Sequence, residues 1–246
     1  MAISSSISRL TAYFRRHGFV ATIRRAVIAG RRALFLNRMV LLYCDLAAQS
    51  SPMTDLPNSL TVERHRTQMD VSLSDLGQIS TFWNQRLSER NIQRRFELGA
   101  SLWLIKSEGH LAGYGWTLRG QTVEPHYFRL GPDDVHLFDF QVFPQYRGRG
   151  LNPLLVGYIL RSLAVESQGR AFIEAAEWNQ RQLASLRNTP FLRLGLASKL
   201  TLSRRTIVCW SEDGHLRQLR KSDAKNAEIG AGESSEENAR LASLKH

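Results

Sequence analysis

Glycines two apart, set between an apolar run at residues 135–143 and a leucine-rich run at residues 151–163, constrain this chain more than any other feature of its sequence. The first run, Val135-His136-Leu137-Phe138-Asp139-Phe140-Gln141-Val142-Phe143, is rich in β-branched and aromatic residues and stops at Pro144, which predicts a buried strand. In the second run Leu151, Leu154, Leu155, Tyr158, Ile159 and Leu163 recur at three- and four-residue spacing, which predicts an amphipathic helix with Pro153 in its first turn. Between them lies Gln145-Tyr146-Arg147-Gly148-Arg149-Gly150. A helix N-terminus has unpaired N–H groups and a partial positive charge, and Gly148 and Gly150 free the loop to bring further N–H groups to an anion. Arg147 and Arg149 add charge beside that nest. The same loop also reads as a tight turn with solvated arginines.

Context separates the two readings. Gln145-x-x-Gly148-x-Gly150, after a strand ending Val142-Phe143-Pro144 and before a leucine-rich helix, resembles the acetyl-CoA motif of the GCN5-related N-acetyltransferase (GNAT) superfamily. The resemblance extends over residues 59–210, with its decisive part at residues 135–163. It implies a GNAT-like α/β fold, a mixed and mostly antiparallel sheet of six to seven strands flanked by helices. It implies acetyl-CoA as co-substrate, with Val142 and Phe143 bonding the pantetheine arm through their backbones. Gln145, Arg147, Gly148, Arg149, Gly150, Leu151 and Asn152 would surround the pyrophosphate, and Asn179 would be a further cofactor contact. Pro153 has no N–H, so the nest must close before it. The match weakens beyond: where the family often has a tyrosine four residues before a Gly-Phe pair, to protonate the departing thiolate, this chain has Phe191 before Gly195-Leu196.

Element order follows from periodicity and turn residues. A strand is expected at residues 60–64, helices at 74–88 and 89–98, and a hairpin of 102–106 with 112–118 around Ser107-Glu108-Gly109-His110. After the motif come a strand at 170–178, a helical region at 180–193 and a terminal hairpin of 199–203 with 206–210. Candidate proton acceptors are Asp139 in the aromatic run, where burial would raise its pKa, Glu174 or Glu177 in the next strand, and His126 in the loop before the motif strand.

Charge divides the 246 residues unevenly: residues 1–44 carry eight arginines and no acid, residues 221–246 carry −1, and +4 of the total +11 remains for residues 45–220. A moderately basic centre suits a polyanionic co-substrate, and nucleic-acid binding is not expected from so small an excess. Domain organisation is therefore read as a basic helical extension at 1–46, a linker at 47–58, the acetyltransferase-like domain at 59–212 and a polar tail at 213–246. In the extension, Ile23, Val27, Gly30 and Leu34 face one way, while Arg24, Arg31 and Arg38 recur every seven residues on another face. Such a face docks on an anionic membrane surface, or stays solvated while the helix packs on the domain; a transit peptide is a third reading. The expected location is cytoplasmic, and the docking alternative places the chain peripherally at the inner face of a membrane. Two cysteines imply no disulfide framework, and no His/Cys spacing along the chain has the form of a metal site. The expected function is acetyl transfer by direct attack of an amine or hydroxyl acceptor, such as a sugar or glycan precursor, on the thioester. A CoA-binding module without chemistry is the alternative, and acyl length is left open.

Overall fold

The computed structural model describes residues 38–49, 56–82, 85–124, 126–166, 168–202 and 205–212. The arginine-bearing segment before residue 38, residues 50–55 of the expected linker and the tail from residue 213 lie outside the described residues. In chain order the elements are β1 (Arg38–Asp45), β2 (Leu60–His65), α1 (Leu73–Phe82), α2 (Gln85–Glu97), β3 (Ser101–Ser107), β4 (His110–Arg119), β5 (Val135–Val142), α3 (Leu151–Glu166), β6 (Arg170–Ala176), α4 (Gln180–Arg187), β7 (Leu192–Leu202) and β8 (Arg205–Glu212).

All eight strands join one sheet in the order β2-β3-β4-β5-β6-β1-β7-β8. Every described pairing is antiparallel except β5 with β6. Alternation of side chains divides the core between the two faces. Val40, Leu42, Val135, Leu137, Ala171 and Ile173 pack with α3 through Leu155, Ile159 and Leu163. Leu102, Leu104, Tyr114 and Trp116 pack on the other face with Ile79 of α1 and Ile92 of α2. Farther along that second face, Leu41 and Phe172 meet Tyr127 and Leu130 of the loop between β4 and β5. The β3–β4 hairpin turns at Glu108 and Gly109, both with positive φ (51° and 78°), the conformation that two-residue hairpins favour.

Two expectations need correction. Arg38–Asp45 does not belong to an extension outside the domain: it is an interior strand, paired with β6 from Met39 to Asp45 and with β7 from Arg38 to Tyr43. It is also why the sheet has eight strands where six to seven were expected. Its unbroken apolar run suits a strand covered on both faces. The helical region expected at 180–193 ends at Arg187, and β7 begins at Leu192, just past Pro190.

Cys44 is buried in β1, and Cys209 is exposed on β8. Burial, with Asp45 beside it, pushes the Cys44 thiol up to about 12. Only thiolate is an effective nucleophile, so one thiol of the native protein is expected to react with an alkylating reagent at neutral pH and the second only after denaturation. Mass spectrometry of the labelled peptides checks this; labelling of Cys44 in the native protein would contradict it.

Candidate active site

β5 and β6 pair over only three residues each, Val135–Leu137 against Ala171–Ile173. Beyond this point no register joins them. Asp134 ties the closed end, accepting from Arg170 Nε at 3.1 Å and from the Gly131 N–H at 2.7 Å. On the open side, the Phe143 N–H bonds the Ala112 carbonyl of β4 at 2.9 Å. Successive residues of a strand send their backbone groups to opposite sides, so the Val142 N–H and C=O are turned away from β4, into the gap left by β6. The Val142 carbonyl meanwhile accepts from Gln141 Nε2 at 2.8 Å and Arg147 Nε at 3.1 Å.

A bulge lies beside the parting. Trp116 and Tyr114 of β4 oppose Phe138 and Gln141 of β5, so three residue steps face two, and Asp139 within the bulge has φ of 51°. Gly115 makes the arrangement sterically feasible, because a Cβ there would fall on the Phe140 ring.

The loop after β5 carries the glycines as expected. Gly148 and Gly150 have φ of 79° and 71°, a region that favours glycine. Gly150 supplies the first helical acceptor, for the Leu154 N–H at 3.3 Å, so α3 starts here. From Gly148 to Asn152 the N–H groups are taken by no backbone carbonyl of the described residues. Val142, Arg147, Gly148, Gly150, Asn152 and Asn179 line one cavity of about 760 Å³. Arg149 lies with its guanidinium 5.5 Å from the Tyr146 ring centre.

Other expected contacts have different local duties. Phe143 has both backbone groups occupied, its N–H by Ala112 and its C=O by the Tyr146 N–H at 2.9 Å, and its ring meets Phe82 edge-on. It anchors the strand; its backbone is not free for pantetheine. Gln145 is exposed in the turn Pro144–Tyr146. Leu151 is buried, leaving only its N–H to offer. Asn152 Nδ2 donates to Ser185 Oγ at 2.8 Å, joining α3 to α4, and Asn179 caps α4 by accepting from the Gln182 N–H at 3.3 Å. Phe191, at the position where the family motif has a tyrosine, is packed in the core with Leu186 and Leu196.

The candidate acid–base residues separate. Asp139 is exposed, contrary to the burial expected from its aromatic neighbours, because the bulge turns it out of the strand's alternation. It pairs with Arg95 of α2 at 2.5 Å, at a pocket of about 330 Å³ that includes Ser88, Asn91 and Tyr114. Glu177 pairs with Arg38 at the surface. Glu174 is the first residue of β6 past the parting and shares a face with Phe172. Its Oε2 lies 2.8 Å from Nε2 of His136, with the two side chains 19% and 7% exposed. Burial alone would raise the Glu174 pKa, but the charge and hydrogen bond of His136, with His126 and Lys199, outweigh it and hold the carboxyl low. His126 is at the same place, its ring 5.0 Å from that of His136. Burial brings His126 down to about 4 against the opposing pull of Glu174. His136 was missed in the sequence, where the available signal was a histidine between the apolar residues Val135 and Leu137.

The model of the acetyltransferase (GNAT) family matches residues 70–187. No curated protein matches the sequence. Among solved structures, a GCN5-related N-acetyltransferase from Sphaerobacter thermophilus is 14% identical with a TM-score of 0.46, over 80% of this chain and 57% of that one. An acetyltransferase of the GNAT family from Colwellia psychrerythraea is 11% identical with a TM-score of 0.47, over 72% of this chain and 56% of that one. The chain thus spans a little over half the length of these two structures.

Proposed function

Residues 70–187 of this chain belong to the acetyltransferase (GNAT) family, and on that footing we propose that the protein transfers an acetyl group from acetyl-CoA to an amine or hydroxyl acceptor. One observation carries the reading: a parted pair of strands, with Val142's backbone turned into the gap, leads straight to the glycine loop and the start of α3. The N–H groups from Gly148 to Asn152, with Arg147 and Arg149, suit a pyrophosphate. The Val142 backbone suits the pantetheine amides once Gln141 and Arg147 release its carbonyl. In the transfer, the acceptor nitrogen or oxygen forms a bond to the thioester carbon, the C–S bond breaks, and the acceptor's proton passes to a base. Glu174, past the strand parting and backed by His136, is the base in this reading; His126 and Asp139 are the alternatives it must outcompete. The sulfur leaves as a thiolate and takes a proton from solvent. A thiol's ordinary pKa of about 8.5 makes that departure tolerable without the tyrosine that Phe191 replaces.

A sugar or glycan precursor is the acceptor class we favour, presented at a membrane surface on which the arginines of residues 1–44 would dock at the cytoplasmic side. A second reading, a CoA-binding module without turnover, is favoured by Phe191, which is buried and has no hydroxyl to protonate a leaving group.

Calorimetric titration of acetyl-CoA into the full chain and into a Gly148→Asp/Gly150→Asp variant tests the site. Each substitution places a side chain at positive φ, costing about 1–2 kcal/mol, and puts a carboxylate where a phosphate would sit. Affinity is expected to fall by at least about 100-fold, equivalent to about 2.7 kcal/mol. A Gly150→Ala variant, which adds no charge, and thermal melts of all three proteins separate lost binding from lost folding. Equal affinity in the wild type and a folded double variant would overturn the assignment, and turnover of an acceptor decides between enzyme and silent module.

A further inference from the structure

We propose that His126, His136 and Glu174 form a binding site for one divalent transition-metal ion of the zinc class. One ligand atom from each residue lies within 4.8 Å of the others. The three come from different segments: the loop before β5, the start of β5, and β6 just past the parting. No spacing rule along the chain brings them together.

Of two orphaned atoms at the cluster, the first points to a ligand. His126 Nε2 and His136 Nδ1 are buried and have no hydrogen-bond partner among the described residues. An unsatisfied buried polar group costs about 1–3 kcal/mol, and two such nitrogens in adjoining rings form an unusual concentration for a native core. An ion held by His126 would satisfy the first of them. Two imidazoles and one carboxylate are also the donor set of a borderline-soft cation such as zinc, copper or nickel, whereas magnesium and calcium favour all-oxygen shells. Zinc bonds of about 2.0–2.2 Å in a tetrahedral shell set the ligand atoms roughly 3.4 Å apart. Side-chain movements of an ångström or so take the cluster from its present spread to that spacing. The fourth position is left to water. A cavity of about 790 Å³, with His126, Phe128 and Arg170 in its wall, gives a route in.

One neighbouring charge opposes the ion. Lys199 acts electrostatically on both His126 and Glu174, and its ammonium lies 4.5 Å from the centre of the Tyr127 ring. Removing that charge leaves the ligands in place and favours a dication. Where the acetyl-transfer reading also holds, the ion takes the lone pairs of Glu174 and His136 that would accept the acceptor's proton, so zinc is then an inhibitor.

The test is zinc titration of the full chain, free of any polyhistidine tag and freed of metal by a chelator, against a competing zinc indicator. One equivalent is expected to bind. His126→Ala and Glu174→Gln are each expected to weaken it by at least about 100-fold, since altering even the partners behind zinc ligands costs 10–100-fold. Lys199→Met is expected to tighten it. Absence of a saturable single equivalent, or equal affinity in wild type, His126→Ala and Glu174→Gln, would overturn the proposal. Should a variant fail to fold, the wild type decides: cobalt(II) must produce the visible absorption of a four-coordinate nitrogen–oxygen site, and a spectrum of free aqueous cobalt overturns it. Acetyl-CoA titration of the same preparations reports the cofactor reading separately.

Discussion

A chain lacking residues 1–45 is expected not to fold, whereas one lacking residues 1–36 keeps its sheet. The longer deletion takes out β1, which lies between β6 and β7 and pairs with both. Val40, Leu41 and Leu42 are all buried. At about 1.5–3 kcal/mol for each fully buried aliphatic side chain, these three alone contribute roughly 5–9 kcal/mol, against a typical total stability of about 5–15 kcal/mol. The deletion also strips two interior strands of a hydrogen-bonding neighbour and leaves them as open edges. Circular dichroism and thermal melts read the result; a cooperative melt of the 1–45 deletion matching that of the full chain would refute it. The shorter deletion starts at Asn37 and leaves Arg38 paired with Glu177. It is therefore the appropriate reagent for the membrane proposal: vesicles rich in anionic lipid are expected to retain the full chain and release the shortened one. Equal retention of both would remove the surface-docking role from the arginine-bearing segment.

Replacing Glu174 by Gln is expected to lower kcat/KM for an accepted substrate by about 10²–10⁴-fold, the usual contribution of a positioned general base. Acetyl-CoA affinity is expected to be unchanged, because the proposed phosphate and pantetheine contacts lie on the β5 side and at α3. The change is nearly isosteric and keeps one oxygen for His136, so the cluster's packing survives while the proton acceptor is lost. Asp139→Asn is the deciding comparison. Asp139 is exposed and paired with Arg95, and in this assignment it acts on acceptor affinity, seen in KM, with kcat retained. If Asp139→Asn carries the loss in kcat and Glu174→Gln does not, the base is Asp139.

Local features of the sequence were the legible ones. The β3–β4 hairpin, the motif strand and α3 are each set by residues that touch their own neighbours in the chain: Glu108-Gly109 in the turn, alternating apolar residues on Val135 and Leu137, leucines at helical spacing. Two misreadings share a cause. The aromatic residues around Asp139 indicated burial only if the strand alternated regularly, and the bulge opposite Gly115 breaks that alternation. The run at 180–193 contains apolar residues at spacings compatible with a helix, yet from Leu192 onward the chain finds β1 as a pairing partner and extends beside it. A partner distant in sequence leaves no periodic trace.

The sequence by itself determined the glycine turn that opens α3, because positive φ at Gly148 and Gly150 and the unpaired N–H groups of a helix start are short-range backbone properties. It also determined that the run ending at Pro144 forms a strand, since its β-branched and aromatic residues favour an extended backbone and proline stops it. Only the tertiary structure decided where that strand goes, which carboxylate is buried, and that His126, His136 and Glu174 meet. Those outcomes depend on the order in which strands far apart in the chain stack side by side, and hydrogen-bonded pairing is specified by the matching of two surfaces rather than by either segment alone.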